Sequence, residues 1–198
     1  SHPPEALDRL KEGTGGTFGV NFLMPFVDRT AVEMAAGKAK LVEFFYGEPD
    51  PSLVEAVHRG GALASWQVGS REEALKAVAA GCDVIVAQGR EAGGHIRGRR
   101  GLLALLSQVL EAVEVPVIAA GGIGTARAMA AALATGAAGV VVGTRFVAAQ
   151  ESGAHPLYVA ALIAATADDT VVTETFSTHW PDAPHRVLRS CVEAANVN

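Results

Sequence analysis

The sequence predicts an α/β protein built on a parallel sheet, and three observations favour this fold class. Hydrophobic residues make up 49% of the 198 positions but aromatic residues only 6%, so Ala, Val and Leu dominate, as in parallel sheets packed against helices. Strand-like and helix-like segments alternate at intervals of roughly twenty to thirty residues, with short loops between them. Several strand-like segments end in glycine turns that lead into helices. One domain over residues 1–198 is long enough to bury a sizeable core.

Six short apolar runs, bounded by turn residues, predict buried strands: Thr17–Leu23, Leu41–Tyr46, Gly61–Val68, Cys82–Ala87, Val115–Ala120 and Gly139–Gly143. A first helix over Glu5–Glu12 precedes them. Each strand is followed by a segment with helical spacing, in the order Thr30–Ala39, Ser52–Arg59, the helix opened by Ser70, Leu102–Val113, Thr125–Thr135 and Thr144–Ala149. Ser52 is the expected N-cap of its helix, and Ser70 with Glu73 forms an expected capping box.

The last fifty residues are less regular. Pro156–Ala165 predicts a further helix, and Thr170–Phe176 is β-branched but alternates polar with apolar residues, which allows it to lie outside the main sheet. We therefore expect residues 150–198 to form a small cap or tail region on the barrel-like unit.

Two consecutive units carry glycine turns at the carboxyl ends of their strands. Gly121 and Gly122 precede one helix, and Gly143 with Thr144 opens the next. Glycine turns free backbone N–H groups to point at an anion, and the helix N-terminus adds its dipole. The six units fit either a doubly wound sheet or a (β/α)₈ barrel, but in barrels such a phosphate cradle follows strands 7 and 8. Counting back from it predicts a TIM barrel that lacks its first two βα units.

Composition argues against several other classes of protein. A net charge of −5 without a basic cluster argues against nucleic acid as a partner. The apolar runs are too short to span a membrane, and no signal segment opens the chain, so we expect a cytoplasmic protein. Cys82 and Cys191 give no pattern for a disulfide or a metal site, and Cys82 is expected to be a small buried hydrophobe.

The segment from Gln88 to His95 carries the most specific motif in the chain. It reads Gln-Gly-Arg-Glu-Ala-Gly-Gly-His and follows a buried strand, so His95 is expected at the carboxyl edge of the sheet, where α/β folds place their chemistry. Adjacent glycines allow a flat ligand to approach the backbone closely. A histidine there is suited to proton transfer near neutral pH. The alternative is a flexible loop whose histidine merely caps another group.

Four segments together resemble the nitronate monooxygenase family, formerly called 2-nitropropane dioxygenases. They are Gly19–Phe22, Gln88–His95, Ala120–Ile123 and Gly143–Phe146, and the resemblance extends from about Pro4 to Ala195. It implies an FMN-binding (β/α)₈ barrel that oxidises alkyl nitronates or nitroalkanes with dioxygen to a carbonyl compound and nitrite. No metal is needed for that chemistry.

The resemblance also implies roles for individual residues. His95 would be the catalytic base or would orient the anionic substrate. Ala92 and Gly93 would border the flavin. Its phosphate would lie on Gly121, Gly122, Gly143 and Thr144. Asn21 and Gln67 would face the ring or the ribityl chain, and Gln88 would also bind the cofactor.

Other readings of the sequence stay open. An FMN-dependent enoyl-acyl-carrier-protein reductase shares the barrel and a similar Gly-Gly-His loop, and a module that binds flavin or oligomerises without catalysis is a third. Two missing units would leave unpaired sheet edges, which favours a fragment or a homo-oligomer. Glu91 could orient His95 or pair with Arg97. The other histidines are expected on surfaces or helix ends: His2, His58, His155, His179 and His185.

Overall fold

Six parallel strands in sequential order form the main sheet of the protein. The computed structural model describes residues 3–15, 17–177, 180 and 182–196. The strands are β1 (Gly19–Leu23), β2 (Leu41–Phe45), β3 (Leu63–Val68), β4 (Val84–Gln88), β6 (Val117–Ala120) and β7 (Gly139–Val141). Their spatial order is β1-β2-β3-β4-β6-β7, and every neighbouring pair is parallel. A doubly wound sheet reverses its strand order at a switch point, so this sequential order is that of a half barrel.

Helices alternate with these strands as expected. They are α1 (Pro3–Thr14), α2 (Arg29–Ala36), α3 (Pro51–Arg59), α4 (Arg71–Ala79), α5 (Leu102–Leu110), α6 (Ala126–Ala134), α7 (Thr144–Val147), α8 (Pro156–Ala164) and α9 (Arg189–Ala195). The N-cap of α3 is Asp50, which accepts a hydrogen bond from the Ser52 amide, so the prediction for Ser52 was wrong. Ser70 caps α4 as expected, while the Glu73 carboxylate accepts from the Gly69 amide.

The hydrophobic core lies between one face of the sheet and the helices. Phe44 on β2, Trp66 on β3 and Ile85 on β4 are fully buried in one cluster with the apolar faces of α2 to α6. Phe44 and Trp66 stack with their ring centroids 4.9 Å apart. Burying such a side chain contributes about 1.5–3 kcal/mol. Because side chains alternate along a strand, the opposite, inner face carries a different set, which includes Asn21, Gln67 and Gln88.

A second sheet of three antiparallel strands lies apart from the first. It pairs β5 (Gly94–His95) with β9 (His185–Leu188), and β9 with β8 (Thr170–Thr173). The polar and apolar alternation near Thr170 therefore did mark a strand outside the main sheet. Strands β5 and β9 and helix α9 were not expected from the sequence. Strand β5 is only two residues long, and β9 combines histidine and arginine with apolar residues, so neither gives a clear period.

Two further features concern the whole described chain. No helix within the described residues is both long and apolar enough to cross a membrane. Cys82 is buried, as expected, and burial raises the pKa of its thiol to about 12, whereas Cys191 is half-buried.

Candidate active site

The backbone of His95 is anchored at the carboxyl end of β4. Gln88, the last residue of β4, is buried, and its Nε2 donates to the His95 carbonyl oxygen at 3.0 Å. The Gly89 amide donates to the Ala120 carbonyl oxygen at 2.9 Å, which ties the start of the loop to the end of β6. The loop that carries His95 is therefore held by side-chain and backbone hydrogen bonds.

Three rings from distant parts of the chain surround the His95 imidazole. Trp180 stacks on it with a centroid separation of 4.1 Å and an interplanar angle of 27°. Tyr46 meets it edge to face at 6.1 Å, and His185 lies at 5.1 Å. Burial, together with the neighbouring His185, lowers the pKa of His95 below 6.5. The imidazole is therefore neutral at pH 7, the state that a general base requires.

Tyr46 holds the segment after His95 in place. Its hydroxyl donates to the Ile96 carbonyl oxygen at 3.1 Å. Its backbone lies in the left-handed region with φ of 71°, a conformation that costs energy in a bulky residue and occurs at functional sites. Burial raises the pKa of its phenol to about 12, so the hydroxyl keeps its proton and remains a donor.

The predicted cofactor residues of three loops lie close together. A Cβ built on Gly93 would stand 2.5 Å from Thr144 Oγ1, and one on Gly121 would stand 3.1 Å from the Ala92 Cβ. The loop after β4 thus packs against the turns after β6 and β7. Any side chain at Gly93 would displace the Thr144 hydroxyl. Contact between the residues of these three loops and a flavin stays a prediction.

Asn21 and Gln67 lie on the inner face of the sheet, on β1 and β3. Asn21 is directly opposite Glu43 of β2 in the parallel register, and its Nδ2 donates to Glu43 Oε1 at 2.8 Å. Burial raises the pKa of Glu43 above 4.5, although the hydrogen bond from Asn21 opposes this. Asn21 thus already has a protein partner, and Gln67 is half-buried.

Glu91 neither orients His95 nor pairs with Arg97. Its two carboxylate oxygens accept from the Leu102 amide at 3.1 and 3.0 Å, at the start of α5. Arg97 instead donates to Glu73 at 2.6 Å and reaches Glu48 at 3.5 Å. Both expectations for Glu91 were wrong because its reach to the N-terminus of a helix eleven residues later leaves no local sequence signal.

The remaining histidines divide into two groups. His58 is an exposed partner of Asp83 at 2.9 Å, and His155 caps α8 by accepting from the Leu157 amide, as expected of surface and helix-end histidines. His185 contradicts that expectation, because it is buried next to His95. His2 and His179 lie outside the described residues.

Comparisons with known proteins were made on sequence and on structure. The family pattern described as nitronate monooxygenase matches residues 5–194. The chain belongs to the nitronate monooxygenase family. A Staphylococcus aureus protein named "Probable nitronate monooxygenase" is 40% identical in an alignment 220 positions long. The alignment covers 87% of this chain and 62% of that protein.

A second relative carries a different name. A Mycobacterium tuberculosis protein, (3aS,4S,5R,7aS)-5-hydroxy-7a-methyl-1-oxo-octahydro-1H-indene-4-carboxyl-CoA dehydrogenase, is 37% identical over 189 residues. Those residues cover 93% of this chain and 52% of the dehydrogenase. The chain spans about half the length of the curated relatives it matches.

Two solved structures match nearly the whole chain. FabK from Thermotoga maritima matches with a TM-score of 0.84 and 37% identity, over 96% of this chain and 60% of FabK. Nitroalkane oxidase from Streptomyces ansochromogenes matches with a TM-score of 0.78 and 33% identity, over 93% of this chain and 65% of the oxidase. The half-barrel fold is therefore that of TIM-barrel-like relatives.

Proposed function

We propose that the chain carries the catalytic half of an FMN-dependent nitronate monooxygenase, which oxidises alkyl nitronates or nitroalkanes with dioxygen to a carbonyl compound and nitrite. The observation that carries the proposal is the placement of His95. Its backbone is fixed by Gln88, its pKa is lowered by burial, and its loop packs against both glycine turns. His95 is the proposed base.

The glycine turns fit a phosphorylated flavin. Gly121 and Gly122 have φ of 96° and 70°, left-handed conformations that glycine adopts without a steric penalty. A Cβ on Gly143 would meet no atom within 4 Å, and among the described residues no side chain caps α7, so this turn has space for a ligand. These two turns with Thr144 would hold the phosphate, while Ala92, Gly93, Asn21, Gln67 and Gln88 would border the rest of the cofactor. When bound, FMN supplies the electron acceptor for the oxidation.

The chain's own task is to take a proton and to stabilise the charge that results. A nitroalkane loses its α-proton to the neutral His95 ring, whose nitrogens have no other hydrogen-bond partner among the described residues. The stacked indole of Trp180 then faces an imidazolium, and such cation–π contacts are worth about 0.5–2 kcal/mol. Tyr46 and Gln88 hold the loop that carries His95 in place while the proton is transferred.

A reductase or dehydrogenase of acyl thioesters is the second candidate, of which the enoyl-acyl-carrier-protein reductase is one form. The match to FabK, with a TM-score of 0.84, supports it, and so does the name of the carboxyl-CoA dehydrogenase. NADH consumption with crotonyl thioester, in the absence of nitrite release, would favour this candidate.

The test compares His95→Asn with His58→Asn, a matched control on the surface pair with Asp83. We expect His95→Asn to lower turnover of a neutral nitroalkane by about 10²–10⁴-fold. Turnover of propionate 3-nitronate, which is already deprotonated, should fall less. The flavin spectrum gives the cofactor content of each variant. Equal loss of flavin and turnover, or no nitrite from the unaltered chain with FMN, would contradict the proposal.

A further inference from the structure

His185 faces His95 directly across two strands. In the antiparallel pairing of β5 with β9, the two histidines are register partners, and directly opposed residues place their side chains on the same face. The ring centroids are 5.1 Å apart, and His185 is only 4% exposed. The second ring is therefore an internal neighbour of the proposed base.

One nitrogen of His185 is fixed and the other has no partner. Nδ1 donates to the Ala183 carbonyl oxygen at 3.0 Å, so in the neutral ring Nε2 carries the lone pair. Nε2 is buried without a hydrogen-bond partner among the described residues. An unsatisfied buried polar atom destabilises the fold, and such atoms in native structures call for an explanation such as a catalytic role.

Among the described residues, His185 is the one histidine whose ring lies against His95. Tyr46 and Trp180 contribute rings, and Gln88 bonds only the His95 backbone. Around Tyr46 stand the charges of Arg97, Glu174 and Asp182. Next to His185, the Arg186 guanidinium donates to Thr170 Oγ1 and to the Arg90 carbonyl oxygen, and alternation along β9 directs it to the other face.

We propose that His185 is a positioning residue for His95: the His185 ring, fixed by its hydrogen bond to Ala183, holds the His95 imidazole at the edge of β5 in its neutral form. This inference rests on the proposed role of His95 as the base. The lowered pKa of His95, caused by burial first and by His185 second, agrees with the geometry. The stacked Trp180 indole favours the imidazolium, so Trp180 and His185 act on the protonation of His95 in opposite directions.

The experiment measures the protonation of His95 directly. Histidine ring resonances are titrated by NMR in the full chain, with the His95 signal assigned by its loss in His95→Asn. We expect His185→Phe, which keeps a ring but removes both nitrogens, to move the His95 midpoint to higher pH. His185→Asn retains an amide donor for the Ala183 carbonyl and should move it in the same direction. His58→Asn is the control that leaves the midpoint unchanged.

The activity profile gives the second readout. A base must be neutral, so kcat/KM for a neutral nitroalkane rises with pH through the pKa of His95. In His185→Phe that rise should shift to higher pH, with kcat reduced more than KM is raised at pH 6. A merely structural role would lower the melting temperature of both His185 variants but leave the midpoint and the profile in place, which would overturn the proposal. If the midpoint moves while no variant releases nitrite, the proposed function fails and the role of His185 stands.

Discussion

At the scale of single residues, the site depends on rings that enclose His95 rather than on charges that pair with it. Trp180 covers one face of the imidazole, Tyr46 meets it edge-on, and His185 stands opposite. No carboxylate contacts this ring within the described residues. Burial and the neighbouring His185 therefore lower the pKa of the His95 imidazole and favour its neutral form. A substrate that gives the ring a proton must do so against this preference.

Tyr46→Phe isolates one hydrogen bond of this arrangement. The substitution keeps the ring against His95 and Trp180 but leaves the Ile96 carbonyl without its donor. We expect a loss of about 0.5–1.5 kcal/mol in the free energy of unfolding, measured by urea denaturation, and a lower kcat because the loop after His95 is less firmly held. The second tyrosine, Tyr158 on α8, provides the control. Tyr158→Phe should change neither quantity, and equal effects of the two variants would contradict this role.

His95 could be found from its motif, but Tyr46 and His185 beside it could not. The glycine-rich loop after a buried strand gives a local signal for His95. Tyr46, Trp180 and His185 lie far from it in the sequence, and His185 stands between Pro184 and Arg186 with nothing to distinguish it from a surface histidine. Only the pairing of β5 with β9 brings it to His95.

At the scale of elements, the loop after β4 is fixed at both of its ends. Gly89 bonds the end of β6, and Glu91 bonds the first amide of α5, where the N-cap Gly101 has no side chain to offer. A carboxylate at this position satisfies an orphan amide and also complements the helix dipole. The loop that carries His95 and the start of α5 therefore stabilise each other.

Glu91→Ala should destabilise the protein by about 0.5–2 kcal/mol, the usual cost of losing an N-terminal cap. The matched variant is Glu111→Ala at the C-cap of the same helix, where a negative charge opposes the dipole. That variant should be neutral or slightly stabilising. Denaturant midpoints of both variants give the comparison, and the signs of the two changes decide it. Similar losses for both would show that Glu91 acts through general charge rather than as a cap.

Element boundaries were predictable where one local rule decides them. Thr125 caps α6 and Ser70 caps α4, and both follow from residue type and position. The capping of α5 by Glu91 and of α3 by Asp50 depends on which neighbour reaches the helix, and sequence spacing does not settle that. Strand β5 forms only because β9 pairs with it.

At the scale of the molecule, the sheet is continuous but open. The alternation of strands and helices fixes a parallel sheet with sequential order, and the glycine turns correctly favoured a barrel over a doubly wound fold. Within the described residues, β1 pairs only with β2 and β7 only with β6. Unpaired edges and exposed apolar surface favour association.

Helix α8 and the β7 edge carry part of this exposed apolar surface. Leu157 and Ile163 on α8 are 75% and 70% exposed, and Val141 on β7 is 44% exposed. Exposing these apolar side chains to water is unfavourable, so we expect the chain to self-associate. Sedimentation at rising concentration should give a mass above the 20.3 kDa of one chain.

Substitution on α8 identifies the surface responsible for this association. The double variant Leu157→Glu, Ile163→Glu should shift the equilibrium to the monomer, because each glutamate would be desolvated by contact with another chain. Leu103→Glu on α5 is the control, since Leu103 is also an exposed leucine but lies on a different helix. A chain that is monomeric at every concentration would refute the prediction. An equal effect of Leu103→Glu would show that the added charge controls association, and not the apolar side chains of Leu157 and Ile163 on α8.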